Sequence, residues 1–194
     1  MSVSVRPLTP DEQRQLVAAR LVAVENAPYL AHALFSVAAN AAEGLGTFAV
    51  DRGWRLYLDP ATLAGWGPAL SGGALVHEIS HVVRAHAERA DALGAPYDHD
   101  RWNIATEAAI NDDLLAATIQ LPPGAVTPAG LGLEEGGIEE AYYAQLADQP
   151  LTSSTAGPCG GVGAGTDSDS GAGCGSGAGG PIESWELASN DPAA

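Results

Sequence analysis

Residues 75–83 read Leu75-Val76-His77-Glu78-Ile79-Ser80-His81-Val82-Val83, two histidines and a glutamate set into an apolar run. No other stretch constrains the fold as much. On an α-helix residues four apart stack on one face, so His77 and His81 point the same way. Glu78 is turned about 100° from His77 by the same geometry. Leu75, Val76, Ile79, Val82 and Val83 surround the three polar residues, so the rest of the chain must enclose much of this helix. Polar groups carried into an interior need partners. A metal ion satisfies both imidazoles at once, and an adjacent carboxylate is placed to take a proton from water in a hydrolytic site. With 5 His and 12 Glu in 194 residues, H-E-x-x-H arises by chance in roughly 0.01 chains of this composition. The metal reading is therefore favoured over a helix with two solvated histidines.

The enclosing body has to come from about 150 residues. Residues 152–181 are mostly Gly, Ser, Ala and Thr, a composition expected to stay disordered because it buries too little apolar surface to offset its ordering entropy. The expected organisation is one domain over residues 8–150 and a flexible Gly/Ser-rich tail over 151–194. The two cysteines, Cys159 and Cys174, both fall in that tail and are expected to be free thiols in a flexible segment. Net charge is −16, there is no lysine, and no basic residue follows Arg101. This argues against nucleic acid and anionic membrane as partners. No apolar run is long enough to span a bilayer, and no basic-then-apolar leader opens the chain, so the expected location is the cytoplasm.

Thr9-Pro10-Asp11-Glu12 carries a helix start with a capping box. A second helix is expected from about Tyr29 to Ala39, with His32 on its surface. Gly44-Leu45-Gly46 marks a loop. Residues 47–51 and 54–58 read as the strands of a β-hairpin turned at Arg52-Gly53. A short helical turn is expected at Ala61–Trp66. Ser71-Gly72-Gly73 then precedes the metal helix, placed at about Ala74–Ala92 and ended by Gly94 and Pro96. Further helices are expected at about Asp100–Thr118 and Ile138–Leu146. The fold class is α+β, mainly α, with helices around a metal site and a small hairpin.

A catalytic zinc takes three protein ligands and keeps one position open. Asn103, Glu107 and Asn111 share a face of the helix at 100–118. Glu107 is the best third ligand, with Asp112 its main competitor. Asn111 or Asp112 suits a supporting hydrogen bond to a ligand. His86 lies nine residues after His77, half a turn off it on a straight helix, and so faces away. His99 is a weak candidate for the substrate site. An oxyanion stabiliser is not identifiable, and Tyr97, His99, Tyr142 and Tyr143 read more readily as packing.

Pro28-Tyr29-Leu30, Gly46–Asp51, the His77–His81 motif, Trp102–Asp113 and Leu121-Pro122-Pro123-Gly124 occur in that order. Together they resemble the metallopeptidase domain of the VWA-like predicted metal-dependent peptidases of bacteria, over roughly residues 8–150. The likeness recurs where a Gly-rich stretch leads to Trp185-Glu186-Leu187. It implies a zincin-like fold with the acid on the second helix as third metal ligand; where that acid is often Asp, this chain has Glu107. It further implies a strand beside the metal helix, here 47–51 or 54–58, that pairs with substrate, and a MoxR-type AAA+ ATPase as neighbour. The reading is a zinc-dependent peptidase in which His77, His81 and Glu107 hold Zn2+ and Glu78 is the general base. The alternative is a metal-stabilised interaction module of an AAA+ ATPase- and VWA-linked assembly with little proteolysis of its own.

Overall fold

The computed structural model describes residues 2–94, 96–148 and 174–188. Strand β1 (Ser4–Pro7) leads into helix α1 (Pro10–Asn26), a 3-10 turn at Pro28–Leu30 and the short helix α2 (Ala31–Ser36). Strands β2 (Ala38–Glu43), β3 (Phe48–Val50) and β4 (Arg55–Leu58) follow. Helices α3 (Pro60–Val83), α4 (His86–Ala92), α5 (His99–Ala116) and α6 (Glu139–Gln145) make up most of the rest. The four strands form one sheet in the order β1-β2-β4-β3. β2 and β4 are parallel, and the two outer pairs are antiparallel. This is the α+β, mainly α architecture expected, with β3 and β4 as the hairpin. Among the described residues no helix is long and apolar enough to cross a membrane.

The capping box at Thr9 is present: its hydroxyl accepts from the Glu12 amide at 3.3 Å, and the Glu12 carboxylate accepts from the Thr9 amide at 2.7 Å. Strand β2 is the main departure. Ala38-Ala39-Asn40-Ala41-Ala42-Glu43 reads as the end of a helix by propensity, which is a weak prior that tertiary context overrides. Here Asn40, Ala41 and Ala42 are buried between β1 and β4, where small side chains fit. The predicted helix at Tyr29–Ala39 accordingly stops at Ser36.

Asp59 starts α3. One carboxylate oxygen caps the amides of Ala61 and Thr62, while the other accepts from Gly44 and Gly46 at 3.0 Å each, which ties the β2–β3 loop to the helix. Gly67, at φ 67° and ψ 179°, kinks α3 just before Pro68. Ser71-Gly72-Gly73, expected just before the metal helix, lies inside it. These residues lack large side chains because neighbours come close. A Cβ on Gly73 would run into the backbone carbonyl of Gln120, and one on Gly72 would sit 3.1 Å from the Ala19 carbonyl. The helix ends at Val83, not near Ala92: Ala85 takes the left-handed conformation (φ 55°, ψ 45°), and α4 restarts at His86.

α3 is the centre of the core. Leu75, Val76 and Ile79 are buried with Leu16, Ala19 and Ala23 of α1, Phe48, Leu56 and Leu58 of the sheet, and Ile110 and Leu114 of α5. A second cluster, which includes Ile104, Ala108, Val126, Tyr142 and Leu146, joins α5 to α6.

The described part of the Gly-rich segment, residues 174–188, is docked on the body. Residues 174–180 are buried against the body, and Trp185 and Leu187 pack on a cluster containing Ala49 and Tyr57. Cys159 and the rest of the expected flexible tail lie outside the described residues.

Candidate metal centre

His77 and His81, one turn apart on α3, are both buried. Their Nε2 atoms face each other at 3.1 Å. Glu107, on α5, brings Oε1 to 3.0 Å from His77 Nε2 and 3.6 Å from His81 Nε2. Cys174 adds its sulfur, 2.8 Å from Glu107 Oε1 and 3.8 Å from His77 Nε2. These four buried donor atoms all lie within 4.8 Å of one another, and they form a group able to hold a metal ion.

The donor set fits such an ion. Ligand atoms about 2.0–2.1 Å from a tetrahedral ion stand roughly 3.3–3.4 Å apart, and the separations above bracket that value. Each imidazole is also oriented from behind. His77 Nδ1 is 2.8 Å from Asn111 Oδ1, and Asn111 Nδ2 donates to the Val126 carbonyl at 2.8 Å. His81 Nδ1 is 2.9 Å from His86 Nδ1, and His86 Nε2 is 3.0 Å from Glu139 Oε1. Arg84 and Arg89 in turn pair with Glu139. Partners of this kind fix the ring and leave the inward nitrogen as the donor.

Electrostatics among these side chains follow from burial and proximity. Burial would lower His77, but the charge and hydrogen bond of Glu107 override it and push the imidazole up to about 9. Burial, with His77 and His86 adding to it, pulls His81 down to about 3, so this ring is neutral. Burial would raise Glu107, yet the two histidines hold it below the usual carboxylate range. Glu78 is fully buried, and its charge helps raise His77.

The structure thus brings His77, His81 and Glu107 together, with Glu78 buried next to His77 on α3. Asn111 bonds to His77 from the same face of α5 as Glu107, as its helical spacing implied. Asp112 does not join the cluster; its carboxylate accepts from the Gly136 amide at 2.6 Å. His86 corrects the straight-helix expectation. The break at Ala85 resets the helical phase and returns His86 to His81. Cys174 is the residue that sequence reasoning missed. Two cysteines in a Gly-rich stretch look unstructured, and the only hint was the return of the family likeness at Trp185-Glu186-Leu187. His99 sits beside Gly180, and His32 is exposed. The hydroxyls of Tyr97, Tyr142 and Tyr143 bond to Gly179, to Gly137 and Glu134, and to Asp98 respectively, so all three serve packing.

The glycines around Cys174 follow from how closely the segment docks. Gly175 (φ 78°) and Gly179 (φ 101°) take left-handed conformations, and side chains there would strike the Val50 carbonyl and Trp102. Cys174 O accepts from Val50 N at 2.9 Å, on edge strand β3. Arg55, itself bound to Asp51 at 2.6 Å, donates to the carbonyls of Leu187 and Ala188 at 2.5 and 3.0 Å. Ser176 bonds through its amide and hydroxyl to Glu186.

A mainly helical domain with a small mixed sheet, whose central helix and its neighbour bring two histidines and a carboxylate to a thiol of the docked Gly-rich segment, defines an α+β protein with a candidate metal centre. The family model described as "Putative metallopeptidase domain" matches residues 11–191, and the chain belongs to that family. The match spans both the body and the docked Gly-rich segment. No curated protein and no solved structure matches the chain.

Proposed function

We propose that the protein is a zinc-dependent peptidase. The observation that carries this reading is the inward convergence of His77 Nε2, His81 Nε2 and Glu107 Oε1, with Glu78 on the same turn of α3 as His77. His77, His81 and Glu107 would hold the ion. Zinc, when bound, is a Lewis acid that activates a water and polarises a peptide carbonyl. Glu78 takes the proton from that water and delivers it to the leaving amine. Asn111 and the His86–Glu139 pair keep each imidazole in the tautomer that presents Nε2.

A groove of about 670 Å3, lined by Leu70, Leu115, Ile119, Leu121, Pro122 and Ala125 among others, runs beside the centre. Leu121, Pro122 and Ala125 also wall the small cavity at His77 and Glu107. This supports a substrate with an apolar side chain next to the cleaved bond.

The fourth donor, Cys174, favours a second reading: a closed ion of the structural type in an interaction module. Zinc content by elemental mass spectrometry, with hydrolysis of a peptide mixture by wild type and Glu78→Gln, tests the proposal. About one zinc per chain in both proteins is expected, with whatever basal cleavage wild type shows lost in Glu78→Gln. Equal cleavage by the two would overturn the role of Glu78.

A further inference from the structure

We infer that residues 174–188 form a displaceable strap that holds the peptidase centre latent, with Cys174 as the metal's fourth ligand and the strap backbone on the edge strand that a substrate would pair with. The inference rests on the peptidase reading above and concerns how that centre is closed and opened.

Three observations carry it. The first is the donor count. His77, His81, Glu107 and Cys174 supply four donor atoms within 4.8 Å of one another, the number that a closed zinc site takes, whereas a hydrolytic site needs one position for a reactant. The second is space. The cavity beside His77 and Glu107 measures about 10 Å3, room for about one water and not for a peptide. The third is the edge of the sheet. β3 is an edge strand next to α3, and its Val50 amide is taken by the Cys174 carbonyl. An extended peptide binding by strand addition would use that same edge. One segment thus occupies both the metal's fourth position and the main-chain partner of a substrate.

The contacts that hold the strap are separate from the metal ligands. Trp185 stacks edge-on against Tyr57 with ring centroids 5.0 Å apart, and Tyr57 Oη accepts from the Leu187 amide at 3.0 Å. Tyr97 Oη donates to the Gly179 carbonyl at 2.6 Å. Releasing these contacts withdraws the thiolate and frees the edge in one motion. The position the thiolate leaves is the one a reactant takes.

The test uses the full chain loaded with Co2+ in place of zinc, and acetohydroxamate as a small probe of an open coordination position. Wild type is expected to show a thiolate-to-cobalt charge-transfer band and an unchanged visible spectrum on adding acetohydroxamate. Cys174→Ala is expected to keep its cobalt, lose the band and bind the probe. Trp185→Ala, which leaves the thiol in place, is expected to bind the probe more than about tenfold tighter than wild type, because the open fraction sets the apparent affinity. Absence of the thiolate band in wild type overturns the inference, and so does probe binding by wild type as tight as by Cys174→Ala.

Alkylation of wild type by iodoacetamide, mapped by peptide so that Cys159 is scored separately, gives an answer without any variant. Cys174 should react more than about tenfold faster after the metal is chelated; equal rates would overturn its place on the metal. Should Cys174→Ala bind the probe yet cleave no peptide, the closure stands and the peptidase reading fails. Cleavage by Cys174→Ala above the wild-type rate supports both.

Discussion

Asn111 Oδ1 lies 2.8 Å from His77 Nδ1, and the same amide donates through Nδ2 to the Val126 carbonyl. The second bond fixes which end of the amide faces the ring. The oxygen meets His77, so Nδ1 carries the proton and Nε2 faces Glu107, where the proposed metal would take it. Asn111→Ala should therefore lower metal affinity by roughly 10–100-fold, as measured by competition with a chromophoric chelator. Unchanged affinity would show that the ring is oriented without Asn111.

Glu107 brings the carboxylate from a second helix, and both imidazoles converge on one of its oxygens. Glu107→Ala should weaken metal binding by more than the roughly 10–100-fold expected for a supporting residue. Zinc retained in full by this variant after dialysis would mean that the three remaining donors suffice.

Removing the metal should loosen the whole fold, because the donors come from α3, α5 and the docked 174–188 segment. With free zinc at a thousand times its dissociation constant, the bound ion adds about 4 kcal/mol to stability. A chelator should accordingly lower the thermal midpoint of wild type clearly, and the drop should be smaller in Glu107→Ala. The comparison is a pair of melting curves with and without chelator.

Gly73 is where α3 meets the chain after α5. A methyl group there has no room against the Gln120 carbonyl, a backbone atom that cannot rotate away. Gly73→Ala should cost about 1–3 kcal/mol by overpacking despite alanine's better helix propensity. Urea denaturation would register this as a lower midpoint; a stabilised variant would show that the 119–121 segment shifts freely.

Glu12 supplies the pH dependence that can be read far from the metal. The Arg6 guanidinium, 2.7 Å away, together with the Thr9 cap holds its carboxyl at about 2, below its ordinary 4.5. Its pKa is depressed on folding, so the stability linked to its charge is present above 4.5 and is lost as pH falls through about 2. Glu12→Gln keeps a capping acceptor but not the charge. Its urea midpoint should fall below that of wild type near neutral pH, and the gap should close at about pH 2. A gap that persists in acid would place the effect on the cap and not on the ion pair.

Read alone, the sequence determined the parts whose rules are local. The spacing His77-Glu78-x-x-His81 follows from 3.6 residues per turn. The same period put Glu107 and Asn111 on one face, and Thr9 with Glu12 marked a helix start through groups three residues apart. Tertiary structure decided what depends on groups distant in the chain. Ala38–Glu43 is a strand because β1 and β4 flank it, which overrides the helical preference of alanine. His86 reaches His81 because Ala85 breaks the helix, and no residue there announces the break. Cys174 joins the centre from 67 residues beyond Glu107. Its glycines, which in composition signal a chain that cannot bury apolar surface, are there because the backbone must pass close to Val50 and Trp102. Composition reports how much surface a segment can bury by itself; only the folded body shows that a groove was waiting for its backbone.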